Sequence, residues 1–239
     1  MEHNRIALIA SLDTKLQETL YAKHEIESCG GQGLIIDIST KTLVDAGDAV
    51  GPADILARYG MTWEEFGPLD KAQSIETMSN ALTAVMPALY AEGLFDAVIS
   101  IGGGQNARMA AAAMKSLPFG VPKIVASSLA CGRRTMEQYV GDKDIMVVHT
   151  VADISGLNYT TKTVIHNVCH AALGMLQHQR QVTPDSRKRL PQQCLELHPK
   201  ALREHCASCL TALMKKPDFH ANGVGGRCME KLIEEGALT

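Results

Sequence analysis

Aromatic residues make up only 4% of the 239-residue chain, so its core must be built from aliphatic layers, which favours α/β packing. Charge of one sign is also missing: 23 Lys and Arg against 26 Asp and Glu leave a formal net charge of −3. With no basic field to attract nucleic acid or an anionic membrane, neither is expected as a partner. No apolar run approaches the roughly 20 residues of a membrane helix, and Met1-Glu2-His3-Asn4-Arg5 lacks the basic start and apolar stretch of a signal peptide. A cytoplasmic protein is expected. The 7 cysteines are an odd number scattered through core-like segments, which in a reducing compartment reads as free thiols.

What is present is an alternation of buried strands and helices. Ile6-Ala7-Leu8-Ile9-Ala10, Leu34-Ile35-Ile36-Asp37-Ile38, Asp96-Ala97-Val98-Ile99-Ser100-Ile101 and Lys123-Ile124-Val125-Ala126-Ser127 are short, nearly continuous apolar runs, as in strands covered on both faces of a parallel sheet. A further strand is expected over 144–149. Helical stripes fall over 15–28, 71–92, 107–116 and 161–179, with Pro87 expected to kink the second of these. Between Ser39 and Asp70 the periodicity weakens, glycine and proline punctuate short helical pieces such as 53–59, and an insertion beside the sheet is expected. The pattern predicts a doubly wound, Rossmann-like parallel sheet over 1–179. The polar, basic run Arg180-Gln181-Val182-Thr183-Pro184-Asp185-Ser186-Arg187-Lys188-Arg189 then reads as the start of a linker and divergent segment over 180–217. A truncated fragment of a second α/β domain is expected over 218–239, and function is expected to reside in 1–179. A chain ending inside a would-be second domain exposes apolar surface, so a homo-oligomer is expected.

Ligands of open parallel sheets bind outside the carboxyl ends of the strands. Gly102, Gly103, Gly104, Gln105 and Asn106 join a strand to a helix there, and such a loop either cradles a bulky anion or permits tight strand-to-helix packing. It is neither a Walker loop nor GxGxxG. Asp13, Thr14 and Lys15 follow the first strand; a carboxylate, a hydroxyl and an ammonium suit a phosphate with its magnesium, or else a helix cap with a solvated lysine. Ser127, Ser128 and Gly132 form a third loop, either ligand-facing or a plain turn. Asp144, Asp153 and Asn158 bracket the next strand and its exit, placed to orient a ribose or to cap. Cys131 has no adjacent histidine and no framing motif, and reads as a small buried filler rather than a nucleophile. Cys206-Ala207-Ser208-Cys209, even with His205, His220 and Cys228 nearby, lacks a second ligand pair of zinc-finger spacing, so no metal site is expected.

Six stretches taken together carry a resemblance. They are Ser11-Leu12-Asp13-Thr14-Lys15, Ile101-Gly102-Gly103-Gly104, Leu117-Pro118-Phe119-Gly120-Val121-Pro122-Lys123, Tyr139-Val140-Gly141-Asp142-Lys143-Asp144-Ile145, Val151-Ala152-Asp153-Ile154-Ser155-Gly156-Leu157-Asn158 and Phe219-His220-Ala221-Asn222-Gly223-Val224-Gly225-Gly226-Arg227. In this order they resemble the tobamovirus-resistance-protein-like ATP-binding family, whose chains pair two α/β domains with a nucleotide site in the first. The resemblance implies an ATP-binding protein, and as alternatives a non-catalytic interaction or inhibitor module with a protein partner, or an isomerase or lyase needing the second domain. The family often has a threonine near Asn106 and Ala107, and Ser-Gly in place of Cys131-Gly132. At Gln193-Cys194-Leu195-Glu196-Leu197-His198-Pro199 it has a strand whose codons, shifted by a reading frame, can produce this segment.

Overall fold

The structure is a computed structural model that describes residues 4–130 and 139–177, together with Lys231 and Glu234. The described fold belongs to the unit Met1–Gln179. The linker, the segment that suggests a frame slip, the CxxC group and Cys131 lie outside the described residues. So does the expected second-domain fragment, of which only Lys231 and Glu234 are described.

In chain order the elements are β1 (Arg5–Ala10), α1 (Leu12–Ser28), β2 (Gln32–Asp37), β3 (Ala49–Val50), α2 (Pro52–Tyr59), α3 (Trp63–Phe66), α4 (Lys71–Ala91), β4 (Ala97–Ile101), α5 (Gly104–Met114), β5 (Lys123–Ser127), β6 (Met146–His149) and α6 (Tyr159–Gln177). The six strands form one sheet in the order β3-β2-β1-β4-β5-β6, and every pairing is parallel. This is the doubly wound, Rossmann-like architecture that the alternating apolar runs predict. β4 and β5 are buried at every residue, which explains why their sequences show no polar alternation.

Both faces of the sheet are covered. On one, Ala7, Ile9, Ile36 and Val98 pack with Ile55 of α2, Leu82 and Met86 of α4, and Ala110 of α5. On the other, Ile6, Leu8, Ile99 and Ile124 pack with Ala22 and Ile26 of α1 and Ile165, Cys169 and Leu173 of α6. α1 and α5 therefore leave the neighbouring strands β1 and β4 on opposite faces.

One local expectation is extended and one corrected. α4 continues through Pro87 as one assigned helix, and a break in helical backbone falls in α1 at Lys15 (φ −131°, ψ 25°). The insertion is also more than an appendage. Its Ala49 and Val50 pair with Ile35 and Ile36 as the edge strand of the sheet. Reciprocal caps at Thr62 with Glu65 and at Asp70 with Gln73 start the helices that follow.

Candidate functional site

The order β2-β1-β4-β5 reverses chain direction between β1 and β4, the switch point at which doubly wound sheets open a crevice at their carboxyl edge. The loops after β1 and β4 meet there. The Ser11 N–H donates to Asn106 Oδ1 at 3.1 Å, and Asn106 Nδ2 donates to Ser100 Oγ at 2.9 Å. Asn106 thus spends its amide as a brace between the two loops. Gly102 is required by that brace, because a Cβ there would lie 2.8 Å from Asn106 Nδ2.

The two helix starts at this edge differ. In the first turn of α1 the donors are already engaged. The Leu12 N–H donates to Asp37 Oδ1 at 3.0 Å, and the Asp13 N–H to Ser39 Oγ at 3.0 Å. Thr14 and Lys15 donate to the Ser11 carbonyl. Asp37 ends β2 and is 1% exposed; besides Leu12 its Oδ1 accepts from the Ser39 N–H at 2.9 Å and from Ser39 Oγ at 2.5 Å. Its Oδ2 is buried with no hydrogen-bond partner. Burial first, and the Asp13 charge last, push the Asp37 carboxyl above its ordinary value of 3.8, although its hydrogen bonds pull the other way. No signature motif contains Asp37 and Ser39; the signal is an acid inside the apolar run Leu34-Ile35-Ile36-Asp37-Ile38.

α5, by contrast, opens at Gly103 with extended backbone (φ −67°, ψ 174°) and no side-chain cap. Among the described residues a Cβ built on Gly103 meets nothing within 4 Å, whereas one on Gly104 overlaps Leu129 from the loop after β5. A helix start without a cap, with open space before it, is suited to an anion. Gln105 in the first turn of α5 is exposed, and Asp13 and Lys15 in the first turn of α1, at the same edge, are half-buried. The Lys15 ammonium lies 4.0 Å from the carboxylate of buried Glu18, which in turn accepts the Gly156 N–H at 2.8 Å. Glu18 and Thr19 also line a small cleft with Leu8, Ala10, Ile99 and Ile101. Ser127 is buried, and its Oγ accepts the Leu129 N–H at 3.3 Å. Ser128 Oγ donates to Asp153 Oδ1 at 2.5 Å, tying the loops after β5 and β6. Among the described residues no group of three metal-ligating side chains forms at this edge.

The remaining expected residues divide. Asn158 follows β6 at the same edge, but its Oδ1 accepts the Thr161 N–H at 3.0 Å as the cap of α6. Asp144 is a correction: it precedes β6 and sits at the opposite, amino edge. There its Oδ1 accepts from Lys123 Nζ at 2.7 Å and its Oδ2 from the Gly120 N–H at 2.8 Å. Lys123 opens β5 and is fully buried, so Asp144 serves a buried ammonium and not the crevice. Gly132 lies outside the described residues.

Fold and crevice define a doubly wound domain in which, among the described residues, α5 opens at the switch point without a side-chain cap. The chain belongs to the uncharacterised protein family UPF0261, whose N-terminal domain matches residues 4–181. It is 27% identical over 240 residues to a UPF0261 protein of Clostridium tetani, covering 99% of this chain and 58% of the relative. A UPF0261 protein of Mesorhizobium japonicum is 31% identical over 247 residues, covering 98% of this chain and 57% of the relative. The ToMV resistance protein Tm-1(GCR237) of Solanum lycopersicum is 26% identical over 256 residues, covering 98% of this chain and 34% of the plant protein. The chain thus spans somewhat over half the length of these bacterial relatives and a third of the tomato one. Among the described residues no helix is long and apolar enough to cross a membrane.

Proposed function

We propose that this chain is a nucleotide-binding domain that takes the phosphates of ATP at the start of α5. The observation that carries the reading is the asymmetry of the crevice among the described residues: α1's first turn is engaged by Asp37 and Ser39, while α5 opens uncapped at Gly103 with nothing within 4 Å of a Cβ there. Backbone N–H groups at such a start, reinforced by the helix dipole, suit a polyphosphate. Lys15 would add a positive charge and Asp13 a carboxylate for the magnesium that accompanies ATP. When bound, ATP supplies a phosphoryl group or the binding energy of its phosphates. The chain's own residues hold the loops: Asn106 fixes their spacing, and Ser128 with Asp153 fixes the neighbouring wall.

Thermal unfolding with ATP and magnesium, and with each alone, tests the reading. At a hundredfold excess over the dissociation constant a bound ligand adds about 2.7 kcal/mol, which raises Tm by roughly 5–10 °C for a domain of this size. Gly103→Val should leave the free protein's Tm within about 2 °C, since its side chain meets open space, yet abolish the ATP-dependent rise. Lys15→Ala should weaken binding about tenfold through loss of one charge-assisted contact. An equal rise in wild type and Gly103→Val, or none in wild type, would overturn the assignment.

A further inference from the structure

We propose that the seam between α1 and α6 binds one divalent transition-metal ion of the zinc class, held by Glu25, His166 and His170 with Cys29 as the fourth ligand. The site lies away from the crevice, because both helices start at the carboxyl edge and Glu25 and Cys29 are at the far end of α1.

His166 and His170 are four residues apart on α6 and so share one face; their ring centroids are 4.0 Å apart. His166 Nδ1 lies 2.8 Å from Glu25 Oε2, and Cys29 Sγ lies 3.6 Å from His170 Nε2. One ligand atom from each of Glu25, His166 and His170 falls within 4.8 Å of the others. Tetrahedral zinc, with Zn–N near 2.0 Å and Zn–S near 2.3 Å, separates a nitrogen and a sulfur by about 3.6 Å and a nitrogen and an oxygen by about 3.3 Å. Cys29 Sγ lies at that spacing from His170 but outside the group of three, so its side chain must turn inward to join the other ligands. The Glu25–His166 pair must open by about 0.5 Å, within the reach of side-chain torsions. Tyr21 hydrogen-bonds the Glu25 carboxylate as well, the kind of outer partner that fixes a metal-bound carboxylate. Imidazole, carboxylate and thiolate together select zinc, cobalt or nickel over magnesium or calcium. From sequence the only signal is the spacing of His166 and His170, since Glu25 and Cys29 stand 141 residues before their partners.

The test uses the full chain, stripped of metal and titrated with zinc and, separately, with cobalt. The chain should bind one ion more than the His166→Ala/His170→Ala variant, and zinc should raise its Tm by about 5 °C or more relative to that variant. The other cysteines are common to both proteins, so the difference counts this site alone. His166 is exposed and its loss should not unfold the protein; Glu25→Gln gives an independent variant in which zinc affinity should fall at least tenfold. Cobalt should show a near-ultraviolet thiolate charge-transfer band that Cys29→Ser removes. Equal stoichiometry and equal zinc-dependent Tm in wild type and the double-histidine variant would overturn the site. A charge-transfer band unchanged in Cys29→Ser would overturn the fourth ligand.

Discussion

At the scale of single residues, Asp37 shows most sharply how position and not residue type decides a role. A carboxylate at the end of the second strand of a doubly wound sheet is placed to meet a ribose, yet this one turns inward, accepts three donors through one oxygen and leaves the other unpartnered. Its carboxyl is raised above 3.8 in the folded protein, so the folded chain keeps a proton that the unfolded chain has released. The stability tied to that proton is complete below the ordinary carboxylate value and is lost as pH rises through the raised one. Asp37→Asn removes this dependence. Its Tm relative to wild type should therefore climb as pH is raised from about 4 towards neutrality, in paired melting curves across that window. A constant difference would show that burial does not perturb the group. Cys169 is a second case: burial pushes its thiol up to about 12, so it stays protonated and behaves as the core filler expected of a free cysteine.

At the scale of elements, a buried charged contact helps to hold the amino edge of the sheet. Fully buried Lys123 donates to the carbonyls of Pro118 and Val121 at 2.8 and 2.9 Å and to Asp144 at 2.7 Å. Asp144→Ala takes the carboxylate from a buried ammonium and should cost about 3 kcal/mol, read as a lower denaturant midpoint, while Lys123→Met should be near neutral. Neither should change an ATP-dependent Tm rise. Equal destabilisation by both would mean that the methylene stem of Lys123, and not its charge, matters. Much at this scale was legible in sequence. Strands β1, β2, β4 and β5 announce themselves as apolar runs too continuous for one-sided burial, and Gly102, Gly103 and Gly104 mark a turn by composition. β3 was not legible, because two residues carry no period and only pairing with Ile35 and Ile36 makes them a strand. Nor was the break in α1 at Lys15, whose non-helical backbone carries no local sequence signal.

At the scale of the whole molecule, Met1–Gln179 is a compact unit by itself, and it contains both cores of the described residues. A chain ending at Gln179 should therefore unfold in one cooperative thermal transition and keep the same ATP-dependent rise as the full chain; a broad, non-cooperative melt would show that later residues complete the core. Strand and helix alternation foretold the architecture. The crevice was only half foretold, since sequence placed Asp13 and Gly103 at one edge but could not say which helix start was already taken. That occupancy has a consequence for what can enter. Asp37 and Ser39 are joined to α1 by the chain, and a tethered acceptor competes at an effective concentration that a dissolved anion at micromolar level does not match. Among the described residues one half of the crevice is plugged from within and the other is open. On the nucleotide reading this makes the domain a size filter: a mononucleotide needs only the open half, whereas a dinucleotide spanning the switch point would have to displace part of the protein itself.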